Sequence, residues 1–127
     1  MARTPEGKVK DDVKAALHAE GIFPFMQVAE KPPANAIGVY YMPVAGPYSV
    51  HGVHDFVLNV KGRFCTIETK APDNPEDETY HQGCFRAAVN WTGGIALTGV
   101  RDGKAGVEHL LKLLHATTQV SVLTKES

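Results

Sequence analysis

Val9, Val13, Ala16 and Leu17 recur at the spacing that brings side chains onto one face of an α-helix. Thr4-Pro5-Glu6 just before them reads as a helix start: threonine can cap free amide groups, proline suits the first turn, and a carboxylate there meets the positive end of the dipole. Gly21 is placed to end that helix. Glu6 lies at the N-terminal end of the apolar stripe, where a dipole-favoured surface carboxylate is the alternative to a functional one.

Ile22 to Val28 and Val39 to Met42 carry the aromatic and β-branched residues of strands, separated by the breaker run Glu30-Lys31-Pro32-Pro33-Ala34-Asn35. A meander or an edge hairpin is expected there. Ala45 to Ser49 and Gly52 read as a loop leading into the most informative stretch. From Val53 to Lys70 two alternating runs flank Lys61-Gly62, which predicts two strands joined by a tight turn. With a two-residue turn, Val60 faces Arg63, and counting outward places Asp55 opposite Glu68 and Val53 opposite Lys70. The alternation then assigns Phe56, Leu58, Val60, Cys65 and Ile67 to a core face, while Asp55, Glu68 and Lys70 project together from the other. A bulge would shift this register by one residue.

Asp73 to Glu78 is an acidic, breaker-rich loop, and Thr79 can cap a second helix running towards Trp91, stopped by Gly93-Gly94. Ile95 to Val100 reads as a further strand, Arg101 to Lys104 as a turn, and Val107 to His115 as an amphipathic helix. From Thr117 the chain is expected to form a short strand or a loose tail.

The 127 residues fit one domain, 1–127. An apolar fraction of 43% and a charged fraction of 21% are those of a folded globule. No stretch approaches the roughly 20 apolar residues of a membrane span, and the first residues lack the apolar core of a secretion signal, so the expectation is an intracellular protein. Cys65 and Cys84 form neither a disulfide framework nor a Cys-x-x-Cys knuckle and are expected to be core thiols. A formal net charge of −1 argues against a basic nucleic-acid coat, although one face can concentrate positive charge in a chain that is neutral overall.

Two carboxylates opposed on one sheet face repel, and a divalent cation resolves the conflict. Hard ions such as Mg²⁺ take oxygen ligands and keep several waters, so Asp55, Glu68 and a main-chain carbonyl leave room for phosphate and water. Lys70, two residues after Glu68, can orient or deprotonate the water or stabilise charge on the phosphate; a surface ion pair with either acid is the alternative. Gln82 shares a helical face with Phe85 and Val89, which turns it inward.

The ordered set Gly52-Val53-His54-Asp55-Phe56, Gly62-Arg63-Phe64, Ile67-Glu68-Thr69-Lys70-Ala71-Pro72, Gln82 and Gly93-Gly94-Ile95-Ala96 resembles the PD-(D/E)XK nuclease superfamily, and within it the VRR-NUC (virus-type replication-repair nuclease) branch. That branch has Pro-Asp where this chain has His54-Asp55, then Glu-x-Lys and a Gln on the next helix. The resemblance extends to Pro5-Glu6-Gly7-Lys8 and Tyr40-Tyr41-Met42-Pro43. It implies an α/β, restriction-endonuclease-like core with a central mixed β-sheet flanked by α-helices. It further implies a metal, Mg²⁺ with Mn²⁺ able to substitute, held by Asp55, Glu68 and the Thr69 carbonyl, with Lys70 at the nucleophile and Gln82 and Glu6 near the site. The reaction implied is hydrolysis of phosphodiester bonds in branched or structured DNA, of the Holliday-junction resolvase kind. Two cuts in one junction would need two active sites, hence a homodimer. A replication and repair role in the cytoplasm of a bacterial or phage-infected cell accompanies that reading.

Two other readings compete. A non-catalytic DNA-binding or assembly module could keep the same fold. His51-x-x-His54-Asp55 invites a zinc site or an HD-type phosphohydrolase, which would need helices around the doublet, whereas Asp55 opens an alternating run. His81 and His109 read as surface residues. Tyr40, Tyr41, Tyr48 and Trp91 could stack on DNA, pack in the core or line an oligomer interface. Lys8, Lys10, Lys14, Arg63 and Arg86 could contact phosphates or be solvated charges.

Overall fold

The computed structural model describes residues 3–126, with side chains through residue 117. Helix α1 (Pro5–Ala19) starts where the sequence predicts, with the Thr4 hydroxyl accepting from the Gly7 amide at 3.0 Å and Val9, Val13 and Leu17 buried. It ends at Gly21, whose φ of +85° is the left-handed turn that glycine adopts without a Cβ penalty.

Strand β1 is only Ile22–Pro24, and the chain then turns into helix α2 (Phe25–Glu30), so the strand expected through Val28 is not formed. Pro24 explains the stop: it has no amide to add to a ladder and it stands at the N-cap of α2. Strand β2 (Gly38–Tyr41) pairs with β1 in parallel, which corrects the expected meander or hairpin; the Phe25–Glu30 helix lies within the crossover that parallel pairing requires.

Strands β3 (Phe56–Val60) and β4 (Arg63–Thr69) form the antiparallel pair in the register set by Lys61-Gly62, with Val60 opposite Arg63 and Phe56 opposite Ile67. Both turn residues have positive φ, 51° at Lys61 and 83° at Gly62, the geometry that matches the twist of a two-residue hairpin. A strand at Phe56–Val60 removes the helical setting that an HD phosphohydrolase requires. Helix α3 (Tyr80–Trp91) carries the chain from β4 to the parallel strand β5 (Ile95–Val100). Helix α4 (Gly103–Glu126) begins before the expected Val107 and continues through the region expected as a strand or loose tail.

The five strands lie in chain order, β1-β2-β3-β4-β5, in one mixed sheet. Val13, Leu17, Val107, Leu110 and Leu114 from α1 and α4 close over Phe56, Leu58, Val60, Cys65 and Ile67 to form the main core. Helix α3 lies against β4 and β5. Cys65 is buried and the core pushes its thiol up to about 11, but Cys84 is exposed on α3, so only one of the two thiols belongs to the core. Among the described residues no helix is long and apolar enough to cross a membrane.

Candidate functional site

Four elements meet where β4 ends. Glu6 comes from the first turn of α1, Asp55 from the residue before β3, Glu68 and Thr69 from the last residues of β4 with Lys70 directly after, and Gln82 from the first turn of α3. Glu6, Asp55 and Glu68 each present a carboxylate oxygen, and the three oxygens lie within 4.8 Å of one another. Glu6 therefore joins the two opposed carboxylates, although it is far from them in sequence and on another element.

Hydrogen bonds hold Asp55 and Glu68 in place. The Asp55 amide donates to Glu68 Oε1 at 3.0 Å, and Asp55 Oδ2 accepts from the Thr69 amide at 2.9 Å and the Thr69 hydroxyl at 2.6 Å. Gln82 Nε2 donates to Glu68 Oε2 at 2.9 Å, while Gln82 Oε1 accepts from Lys70 Nζ at 3.0 Å and from the Thr79 amide at 2.8 Å. Gln82 thus bridges the buried acid and the buried ammonium. It can reach both because it is the third residue of a helix capped by Thr79, in a reciprocal capping box.

Glu68 is 3% exposed, and burial followed by the neighbouring Asp55 carboxylate pushes its carboxyl up to about 7, against the opposing pull of Lys70. Lys10 Nζ stands 3.5 Å from Asp55 Oδ1 and brings a second cation to the cluster. Of the expected phosphate-contacting set, Lys10 is placed against these acids. Its place is legible from spacing, since it lies one helical turn after Glu6. Arg86 is instead clamped by both oxygens of Glu78, at 2.7 and 2.8 Å, and holds that carboxyl down at about 2. Arg63 donates to the Gly93 carbonyl at 2.9 Å and to the Thr117 hydroxyl.

His54, which sequence reasoning left without a role, is fully buried beneath α3. Its Nε2 is 3.0 Å from the Gln82 carbonyl, which can only accept, so this nitrogen carries the proton. Its Nδ1, 2.8 Å from the Thr66 hydroxyl, is then the acceptor. Desolvation lowers the His54 pKa, in keeping with that neutral ring, and Phe85 packs edge-on at 4.8 Å. His54 therefore pins the turn of α3 that bears Gln82. His51 lies beside His81, with ring centroids 5.8 Å apart, and His81 and His109 are exposed. Gly52 makes this contact possible: its φ is +88°, and a Cβ there would come within 2.3 Å of the His81 carbonyl oxygen.

The donor set is all oxygen, from three carboxylates, and suits a hard divalent ion better than a thiophilic or imidazole-seeking one. The residues present therefore fit such an ion.

No family model matches the chain, and no curated protein sequence matches it. A solved structure described as a VRR_NUC domain aligns over 87% of this chain and 97% of its own, with a TM-score of 0.58 and 18% identity. That likeness, over nearly the whole of that domain, and the mixed five-stranded sheet flanked by helices give this chain the VRR_NUC, restriction-endonuclease-like fold.

Proposed function

We propose that this protein is a metal-dependent DNA endonuclease that hydrolyses phosphodiester bonds in branched DNA, with the four-way junction as its substrate and two copies acting together. The observation that carries the proposal is the convergence of the Glu6, Asp55 and Glu68 carboxylates beside the buried chain Lys70, Gln82, Glu68. A fold whose only task was to pack would gain nothing from a carboxylate cluster that raises Glu68 to about 7.

In this reading Asp55 and Glu68, with the Thr69 carbonyl and with Glu6 close by, hold Mg²⁺ or Mn²⁺. The ion supplies positive charge for the phosphate and lowers the proton affinity of water. Lys70 offers three N–H donors, of which Gln82 Oε1 takes one; the others serve the attacking water or a phosphate oxygen. Gln82 keeps the ammonium and the Glu68 carboxylate at fixed separation, and Thr69 fixes the orientation of Asp55. Lys10 adds attraction for the DNA backbone at the rim. A junction is symmetric, and paired cuts in it call for two such sites related by a two-fold axis, hence a homodimer. The compartment of action is that of replicating DNA, the cytoplasm of a bacterial or phage-infected cell.

The test is cleavage of an end-labelled four-way junction beside a linear duplex of matched sequence, with Mg²⁺, with Mn²⁺, with chelator, and with Lys70→Ala. Paired nicks in the junction alone, lost with chelator and reduced by about 10³-fold or more in the variant, are expected. Cleavage that persists in chelator or in Lys70→Ala would overturn the assignment.

A further inference from the structure

Helix α3 has two opposite faces. Gln82, Phe85 and Val89 point into the protein, whereas Tyr80, Cys84, Ala87, Ala88 and Trp91 are all exposed on the other side. Tyr80 is 80% and Trp91 90% exposed. A solvated helix face ordinarily carries charge, as α1 does with Lys8, Asp11 and Asp12. Helix α3 has one charged residue, Arg86, and Glu78 already clamps it. Aromatic enrichment with charge depletion is the composition of an interface core.

The spacing of the exposed residues is specific. Tyr80, Cys84, Ala87 and Trp91 are separated by four, three and four residues, the d-a-d-a seam of a heptad. When two such helices run antiparallel about a two-fold axis between Phe85 and Arg86, Tyr80 faces the second copy's Trp91 and Cys84 faces its Ala87. Small residues meet at the centre, where the backbones must approach, and large rings meet at both ends. The surface also holds the matching recess: a shallow depression of about 400 Å³ lined by Glu78, Thr79, Tyr80, Gly83, Cys84 and Ala87, at the end of the helix where the opposing Trp91 arrives.

We infer that the outer face of α3 is a self-complementary interface, that its occupant is the α3 of a second copy of this chain, and that Trp91 is the anchor filling the partner's recess. Area supports that occupant. Four aromatic side chains at about 200 Å² each, discounted for their present burial, remove roughly 700 Å² from water, and the small residues between them bring the total towards the ~1,000 Å² at which specific interfaces begin. With no charge on the seam, the two-fold axis brings no like charges together. The pairing deepens the two-site reading above, because Gln82 on the inner side of each helix places one candidate site behind each half of the pair. The test below contains neither metal nor DNA, so it succeeds or fails independently of the nuclease assignment.

The test is sedimentation of the full chain in chelator, without DNA, for the wild type, Trp91→Ala and Ala87→Glu, with circular dichroism as the folding control. The wild type is expected at twice the 13.7 kDa chain mass, and each variant to weaken association by at least about 100-fold while keeping its fold. Ala87→Cys is expected to oxidise to a covalent dimer whose peptide map joins Cys84 of one copy to position 87 of the other. A wild type that stays monomeric at tens of micromolar would overturn the inference, as would variants that stay dimeric. So would a monomeric wild type that binds duplex DNA through Trp91, which would assign the face to DNA.

Discussion

From Cys65 onward the two faces of strand β4 are both removed from water, but they are closed by different forces. On one, Cys65 and Ile67 meet the apolar residues of α1 and α4, and no directional bond is needed to hold them. On the other, Thr66 reaches His54, Glu68 reaches Gln82, and the chain continues into Lys70, so that burial is matched bond for bond. Among the described residues no buried side-chain nitrogen or oxygen lacks a partner. The first face supplies stability in proportion to area removed from water, whereas the second accepts a buried acid that burial disfavours. Within one strand, alternation separates what folds the protein from what it can be used for.

That separation can be broken by substitution, and the largest effect is expected on the apolar face. Phe56→Ala removes a fully buried ring and is expected to cost about 3–5 kcal/mol in urea unfolding, with the cleavage rate per folded molecule nearly unchanged. A large loss of rate in the molecules that remain folded would show that the two faces are not separable. Glu68→Gln is expected to behave in the opposite sense. In the wild type the Glu68 carboxyl binds its proton more tightly when folded than when unfolded, so its contribution favours folding below about pH 4.5 and is lost as pH rises through about 7. Relative to the variant, the metal-free wild type should therefore lose about 2–3 kcal/mol between pH 4.5 and pH 8, while the variant loses cleavage altogether. Parallel stability profiles for the two proteins would sink that account. The smallest effect belongs to Thr66→Val, which leaves His54 Nδ1 buried without its donor; the expected cost is about 1–2 kcal/mol, accompanied by a fall in rate as the Gln82 turn loosens.

Local rules carried much of this into the sequence. Lys61-Gly62 set the β3 and β4 register, which opposed Asp55 and Glu68, Thr79 capped α3, and the face that Gln82 shares with Phe85 and Val89 turned it inward. Glu6 was legible only as a carboxylate at a helix start; its approach to Asp55 depends on how α1 crosses the sheet, which no local pattern encodes. The parallel pairing of β1 with β2 was hidden for the same reason, because Ile22 to Val28 has strand-like residues and only the sheet edge and Pro24 decide where extension stops. His54 escaped because its partners, Thr66 and the Gln82 carbonyl, lie on two other elements. Cys84 was misplaced because the outer side of α3 carries Ala87, Ala88 and Trp91 in place of charges, so its neighbours did not mark it as exposed.

Gln82 Oε1 accepts from two donors at once, the Thr79 amide that opens α3 and the ammonium of Lys70. The capping box that opens α3 and the ammonium that follows β4 therefore share one acceptor. A fluctuation that frays the first turn of α3 and carries Gln82 away therefore takes from Lys70 its hydrogen-bond acceptor in the same motion.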